Sequence, residues 1–161
     1  MKIDGKWGEE CAVFGVSLNV DEAVGVTYNG LLSLQHRGQE GTGIAVVHDN
    51  SIVCHKNTGL VSEVFSGTRL EALPKEHVAV GHARYSTTGG NKKENVGPFI
   101  TEYLTGRLAV AHNGNITNAK ELRDGLKGFG LNFGATSDSE VISALFAYYI
   151  TKEKNTVSGI A

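Results

Sequence analysis

The stretch that decides the fold is CAVFGV at residues 11–16, an apolar run that begins with a thiol. A short apolar run of this kind, bounded by polar residues, predicts a buried strand. Cys11 stands at the start of that strand, directly after the mainly polar residues 1–10. A lone cysteine is most often a small buried hydrophobe. The alternative is a nucleophile, and polar residues further along the chain distinguish the two.

The bulk composition excludes several classes of protein. The 161 residues, 40% of them hydrophobic, suffice for one domain, and a net charge of −2 provides no basic field for nucleic acid. No apolar run reaches the ~20 residues of a membrane helix, and no secretory signal is recognisable. Two cysteines, Cys11 and Cys54, cannot form a disulfide scaffold or a four-thiolate cluster. We therefore expect a cytoplasmic protein without a metal site in this domain.

The strand pattern predicts two antiparallel hairpins. Residues 42–48 and 51–56 flank Asp49-Asn50, a two-residue turn signal. Residues 99–103 and 107–112 flank a second turn at 104–106. Residues 11–18 and 78–85 complete the set of predicted strands.

Helices are predicted around these strands. Asn19 and Asp21 can cap a helix that ends near Gln35, and a second helix covers residues 118–127. Ser137 and Glu140 have the spacing of a capping box, which opens a strongly amphipathic helix. Hairpins with helices outside predict an α+β fold of two stacked, mainly antiparallel sheets.

Three polar sites at the ends of these elements are candidates for chemistry. Arg84 ends a strand, where it could form a surface ion pair or hold a carboxylate through its planar fork. Asn113-Gly114 is a common turn dipeptide, but its two N–H groups could also stabilise an oxyanion. Asp138 suits the first turn of a helix, and it could equally bind a substrate ammonium. With Cys11 as nucleophile, the set suits amide hydrolysis on an amino acid such as glutamine.

Five ordered blocks give the chain a family resemblance. They are CAVFG at 11–15, QHRGQEGTGI at 35–44, GHARYST at 81–87, AHNGNITN at 111–118 and SDSEV at 137–141. Together they resemble the glutaminase domain of the glutamine phosphoribosylpyrophosphate amidotransferases, which catalyse the first step of purine synthesis. The resemblance implies an N-terminal-nucleophile hydrolase fold, a four-layer αββα sandwich.

The resemblance also implies a role for each candidate residue. Cys11 would be the nucleophile and its own α-amine the proton acceptor. Asn113 and Gly114 would form the oxyanion hole. Arg84 would bind the α-carboxylate of L-glutamine and Asp138 its α-ammonium. Arg37 would support the Cys11 end of the site.

Residues 1–10 resemble the propeptide of some family members, so the domain is expected to cover 11–161. Cleavage between Glu10 and Cys11 would free the α-amine, and a chain that keeps the leader is expected to be inactive. No phosphoribosyltransferase sequence is recognisable, so a transferase domain or subunit is the expected partner. Mg²⁺ or an iron–sulfur cluster is expected only with that transferase half, and an oligomer in the full enzyme.

Two other interpretations remain open at this stage. The chain could be an unprocessed, inactive module that binds glutamine or regulates a partner. It could also be the glutaminase domain of an aminosugar synthase. Tyr85 and His36 count against the second interpretation, because aminosugar synthases carry a tryptophan and a tyrosine at the matching places.

Overall fold

The computed structural model describes residues 11–85 and 92–154. The leader, its predicted cleavage site at Glu10, and Ser86 and Thr87 of the GHARYST block lie outside these ranges. The described chain contains six strands and four α-helices. In chain order they are β1 (Ala12–Ser17), α1 (Ala23–Ser33), β2 (Gly41–His48), β3 (Ser51–Thr58), α2 (Val61–Val64), β4 (Val78–Arg84), β5 (Phe99–Tyr103), β6 (Gly106–Val110), α3 (Ala119–Gly128) and α4 (Asp138–Glu153).

The strands form two antiparallel sheets, as the hairpin pattern predicted. The first sheet has the order β1-β4-β2-β3, and the second consists of the hairpin β5-β6. The turn between β2 and β3 is Asp49-Asn50, with φ values of 47° and 58° that match a type I′ turn. The second hairpin has a shorter turn than predicted, because Gly106 already pairs with Tyr103.

The layers follow the order helix, sheet, sheet, helix. Helix α1 packs on β1 and β4, and α4 packs on β5 and β6. The main core lies between α1 and the outer face of the four-stranded sheet, and includes Leu31, Ile44 and Val46. A smaller core around Leu126 and Val141 joins α3 to α4. The predicted αββα sandwich of the α+β class is confirmed.

Two predicted helix caps are wrong in detail. Helix α1 has no side-chain cap, and Asp21 instead pairs with His77 at 3.0 Å. Ser137 does cap α4, where its hydroxyl accepts from the Ser139 N–H at 3.3 Å. Glu140, however, accepts from the Gly134 N–H at 2.8 Å. The capping box is therefore only half formed, because the loop before α4 offers its N–H groups to that carboxylate.

Candidate active site

Cys11 lies immediately before β1, beside the end of β4. Its Sγ is 3.4 Å from both the backbone nitrogen and the carbonyl oxygen of Tyr85, within hydrogen-bonding range of a thiol. The Arg37 Nε donates to the Cys11 carbonyl oxygen at 3.4 Å. Cys11 is therefore held through its thiol and its backbone by two segments that the sequence separates by more than forty residues.

Arg84 is buried at the last position of β4, with only 6% of its surface exposed. Antiparallel pairing places it opposite Gly41 of β2, on the sheet face that looks toward the second sheet. Its Nη1 donates to the carbonyl oxygen of Asn95. Burial and this hydrogen bond hold the guanidinium in one orientation, which suits the binding of an anion such as a carboxylate.

Asp138 is the first residue of α4, and its carboxylate belongs to a network at the helix start. Its Oδ2 accepts from the Ile116 N–H at 2.8 Å. The hydroxyl groups of Ser137 and Ser139 lie 3.5 and 3.4 Å from its Oδ1. These contacts hold the carboxylate and connect the start of α4 to the loop that carries Asn113 and Gly114.

The 112–114 loop is fixed by His112, whose Nδ1 lies 3.2 Å from the Ser139 hydroxyl. Gly114 packs so closely on the His112 ring that an added Cβ would lie 2.7 Å from its Nε2. A side chain at position 114 would therefore displace the His112 ring. Asn113 is exposed to solvent in this arrangement.

These elements enclose one small, open cleft. Four predicted site residues line it, namely Cys11, Arg84, Gly114 and Asp138. Arg37 contacts Cys11 from outside the lining, and the Asn113 side chain does not line the cleft. Six further residues complete the lining: His82, Tyr85, Asn95, His112, Ser137 and Ser139.

His82 is the most unusual of the residues that the sequence did not single out. It is 4% exposed, and neither ring nitrogen has a hydrogen-bond partner among the described residues. Burial, and then the positive charge of Arg84, lowers the pKa of His82 to about 4. The imidazole is therefore neutral at physiological pH and adds no charge beside Arg84.

The sequence patterns did not indicate Asn95 or Lys56 either. Lys56 on β3 donates to the carbonyl oxygens of Val96 and Pro98, at 2.6 and 3.1 Å. Asn95 is 1% exposed and forms hydrogen bonds with Thr136. No sequence signal marks Asn95, because segment 92–98 has neither helical nor strand periodicity. Lys56 lies within a predicted hairpin strand, where a lysine gives no sign of a tertiary contact.

Two features are absent from the part of the chain that the structure describes. No group of three or more His, Cys, Asp or Glu side chains in residues 11–85 and 92–154 is arranged to hold a metal ion. Within the same ranges, no helix has the length and apolar character needed to cross a bilayer.

Comparison with known proteins gives consistent results. A family described as "Glutamine amidotransferase domain" matches residues 69–160. The amidophosphoribosyltransferase of Methanothermobacter thermautotrophicus is 43% identical over 155 residues, which cover 94% of this chain and 32% of that protein. That of Synechocystis sp. is 43% identical over 152 residues, covering 94% of this chain and 30% of the relative.

Solved structures agree with these relatives. Glutamine phosphoribosylpyrophosphate amidotransferase from B. subtilis, complexed with ADP and GMP, superposes with a TM-score of 0.73 at 43% identity. The match covers 83% of this chain and 28% of that structure. A structure described as the allosteric regulatory enzyme of purine biosynthesis gives a TM-score of 0.75 at 44% identity, covering 83% of this chain and 29% of its own.

The αββα fold, with a cysteine directly before the edge strand β1, defines a cysteine enzyme of the N-terminal-nucleophile hydrolase class. Within that class, the chain belongs to the family of glutamine amidotransferase domains. The chain spans about a third of the length of the curated relatives it matches.

Proposed function

We propose that this chain hydrolyses L-glutamine to L-glutamate and ammonia in the cleft beside Cys11. The observation that carries the proposal is the convergence of Cys11, Arg84 and Asp138 on one cleft. Glutamine carries an amide for the thiol, a carboxylate for the guanidinium and an ammonium for the Asp138 carboxylate. Opposite charges on the two binding groups fix the orientation of the amino acid.

In the first half-reaction, the Cys11 thiolate attacks the side-chain amide carbon of glutamine after its proton passes to the α-amine of Cys11. The oxyanion that forms accepts hydrogen bonds from the Gly114 N–H and from the Asn113 side chain, which must turn in from solvent. The carbon–nitrogen bond then breaks, and the α-ammonium of Cys11 returns a proton to the departing ammonia. The product is a γ-glutamyl thioester on Cys11.

In the second half-reaction, water adds to the thioester carbon and transfers a proton to the α-amine of Cys11. The carbon–sulfur bond breaks, and glutamate and the free thiol are released. The same amine therefore acts as base and acid in turn. Because an amide nitrogen cannot accept a proton in this way, the mechanism requires cleavage between Glu10 and Cys11.

The relatives are named amidophosphoribosyltransferases, so the proposal extends to the use of the ammonia. We propose that this domain supplies ammonia to a phosphoribosyltransferase domain or subunit for the first step of purine synthesis. Mg²⁺ or an iron–sulfur cluster would belong to that transferase half, and the full enzyme would be an oligomer. Two free thiols, Cys11 and Cys54, support a reducing, cytoplasmic setting.

The test compares the full chain with a chain that begins at Cys11, and intact mass establishes which form is present. We expect the Cys11 form to release glutamate and ammonia in equal amounts, and the uncleaved chain to release almost none. Cys11→Ser should lower glutamate release by at least ~10³-fold, because the alcohol is a far weaker nucleophile. Cys54→Ser is the matched control and should retain activity.

Unchanged glutamate release from Cys11→Ser would refute the assignment of the nucleophile. A Cys11 form that binds glutamine but never releases glutamate would favour the alternative of a glutamine-binding module. Isothermal titration calorimetry with L-glutamine distinguishes that outcome from a chain that does not bind the amino acid at all.

A further inference from the structure

Asn95 is almost completely buried between two parts of the cleft, with 1% of its surface exposed. Its Oδ1 accepts from the Thr136 N–H at 2.8 Å, and its Nδ2 donates to the Thr136 hydroxyl at 3.0 Å. Thr136 lies two residues before Asp138. The Asn95 side chain therefore determines where the loop that leads into Asp138 is placed.

The backbone of the same residue contacts the opposite side of the cleft. The Asn95 carbonyl oxygen accepts from the Nη1 of Arg84. Arg84 and Asp138 are separated by more than fifty residues in the chain, yet one asparagine bonds to the first and to the loop before the second. Through these hydrogen bonds, Asn95 directly connects Arg84 to the loop that precedes Asp138.

Asn95 is itself held in place by the segment that follows it. Residues 95–98, here called the crossing segment, pass over the inner face of β2. An added Cβ at Gly41 would lie 2.6 Å from Val96, and one at Gly43 would lie 2.4 Å from the Gly97 carbonyl oxygen. Lys56 binds the Val96 and Pro98 carbonyl oxygens from the neighbouring strand. The crossing segment is therefore tightly fixed on the four-stranded sheet.

We infer that Asn95 is a positioning residue that sets the spacing between Arg84 and Asp138, and so selects a ligand that carries both an α-carboxylate and an α-ammonium. The inference rests on the proposed function, in which these two residues bind the two charges of glutamine. A ligand with two charged groups binds most tightly when the two protein groups are held at the distance that separates its own charges. Asn95 need not touch the substrate to have this effect.

The test uses three amides that differ only in their charged groups. L-Glutamine has both groups, 4-carbamoylbutanoate lacks the ammonium, and 4-aminobutanamide lacks the carboxylate. In the chain beginning at Cys11, kcat/KM for ammonia release, the product common to all three amides, is measured with each compound. We expect Asn95→Ala to lower kcat/KM for glutamine by about tenfold, within the range of couplings between residues in one network.

The two analogues depend on one charged contact each, so their kcat/KM should fall by less than about threefold in Asn95→Ala. The preference for glutamine over each analogue would then shrink in the variant. Thr136→Val, which removes only the hydroxyl, should give a smaller change in the same direction and provides a second variant if Asn95→Ala is poorly folded. Asn132→Ala, at an exposed position, is the matched control and should keep the preference.

An equal loss of kcat/KM for all three amides in both variants would overturn the inference, because it would indicate general damage to the fold. An unchanged preference for glutamine in both variants would overturn it as well. Failure of the unmodified chain to release ammonia from glutamine would refute the proposed function instead. The two failures are therefore separate results of the same assay.

Discussion

At the scale of single residues, Asp138 combines a structural contact with a charge that faces the cleft. Its Oδ2 accepts from the Ile116 N–H, and its carboxylate lines the cavity with Cys11 and Arg84. Asparagine has the same shape and can still accept from Ile116, but it has no charge. Replacement by asparagine therefore separates the two contributions.

We expect Asp138→Asn to raise the KM for glutamine by about 10–100-fold, because a hydrogen bond to a charged group contributes ~1.5–3 kcal/mol. Steady-state glutaminase kinetics and the midpoint of thermal unfolding are the measurements. Asp124→Asn, on the exposed side of α3, is the control and should leave KM unchanged. A KM for Asp138→Asn equal to that of the unmodified chain would remove the ammonium assignment.

His82 makes the stability of the domain depend on pH. Its pKa is about 4 in the folded chain, compared with 6.5 for an unperturbed imidazole. Above pH 6.5 both states are neutral, and the contribution of His82 to stability is fully present. As the pH falls from 6.5 toward 4, the unfolded chain binds a proton that the folded chain excludes, so stability is lost.

At pH 5 this linkage amounts to about 2 kcal/mol relative to pH 7. The measurement is the free energy of unfolding in urea at both pH values, for the unmodified chain and for His82→Gln. We expect the unmodified chain to lose about 2 kcal/mol more than the variant between the two pH values. An identical loss in both proteins would show that His82 is not buried in the neutral form.

The sequence identified the residues at the ends of regular elements and missed those placed by tertiary contacts. Cys11, Arg84 and Asp138 were predictable because each stands where an apolar pattern begins or ends. Asn95 and His82 were not, because their burial depends on the approach of segment 95–98 to the glycines of β2. Sequence periodicity contains no information about that approach.

At the scale of secondary structure, the start of helix α4 combines Asp138, which we propose binds the substrate ammonium, with the helix cap. Ser137 accepts from the Ser139 N–H and adjoins Asp138, so the helix start and the proposed ammonium site share the same turn. Glu140 holds the preceding loop through Gly134 and Ala135, and its carboxylate pairs with Arg123 at 3.3 Å. The partners of Glu140 come from outside the helix, which is why the local capping-box pattern mispredicted them.

We expect Ser137→Ala to lower the free energy of unfolding by about 1 kcal/mol, the usual cost of removing a helix cap. Urea denaturation measures this loss. Ser33→Ala is the matched control, because the Ser33 hydroxyl donates to the Asn29 carbonyl within α1 and is exposed. Equal stability of Ser137→Ala and the unmodified chain would show that the loop held by Glu140 fixes the helix start without the cap.

At the scale of the whole molecule, Lys56 connects the two sheets. It extends from β3 of the four-stranded sheet to the carbonyl oxygens of Val96 and Pro98, and its Nζ lies 4.9 Å from the centre of the Phe99 ring at the start of β5. Burial lowers the pKa of Lys56 from its ordinary value. The hairpin pattern predicted two sheets, but it did not show where they are joined.

We expect Lys56→Met to lower the free energy of unfolding by about 1–3 kcal/mol, because two carbonyl groups lose their charged donor. Lys120→Met, at an exposed position of α3, should have little effect and serves as the control. Urea unfolding of both variants tests this prediction. A Lys56→Met protein as stable as the control would show that water replaces the ammonium without cost.

The two glycines under the crossing segment also constrain how β2 can pair during folding. Gly41 and Gly43 alternate with Thr42 and Ile44, so a strand shifted by one residue would present side chains where residues 95–98 need empty space. The crossing segment can therefore settle only on a sheet that has the native register. Since Asn95 belongs to that segment, its contacts with Arg84 and Thr136 depend on the native pairing of β2.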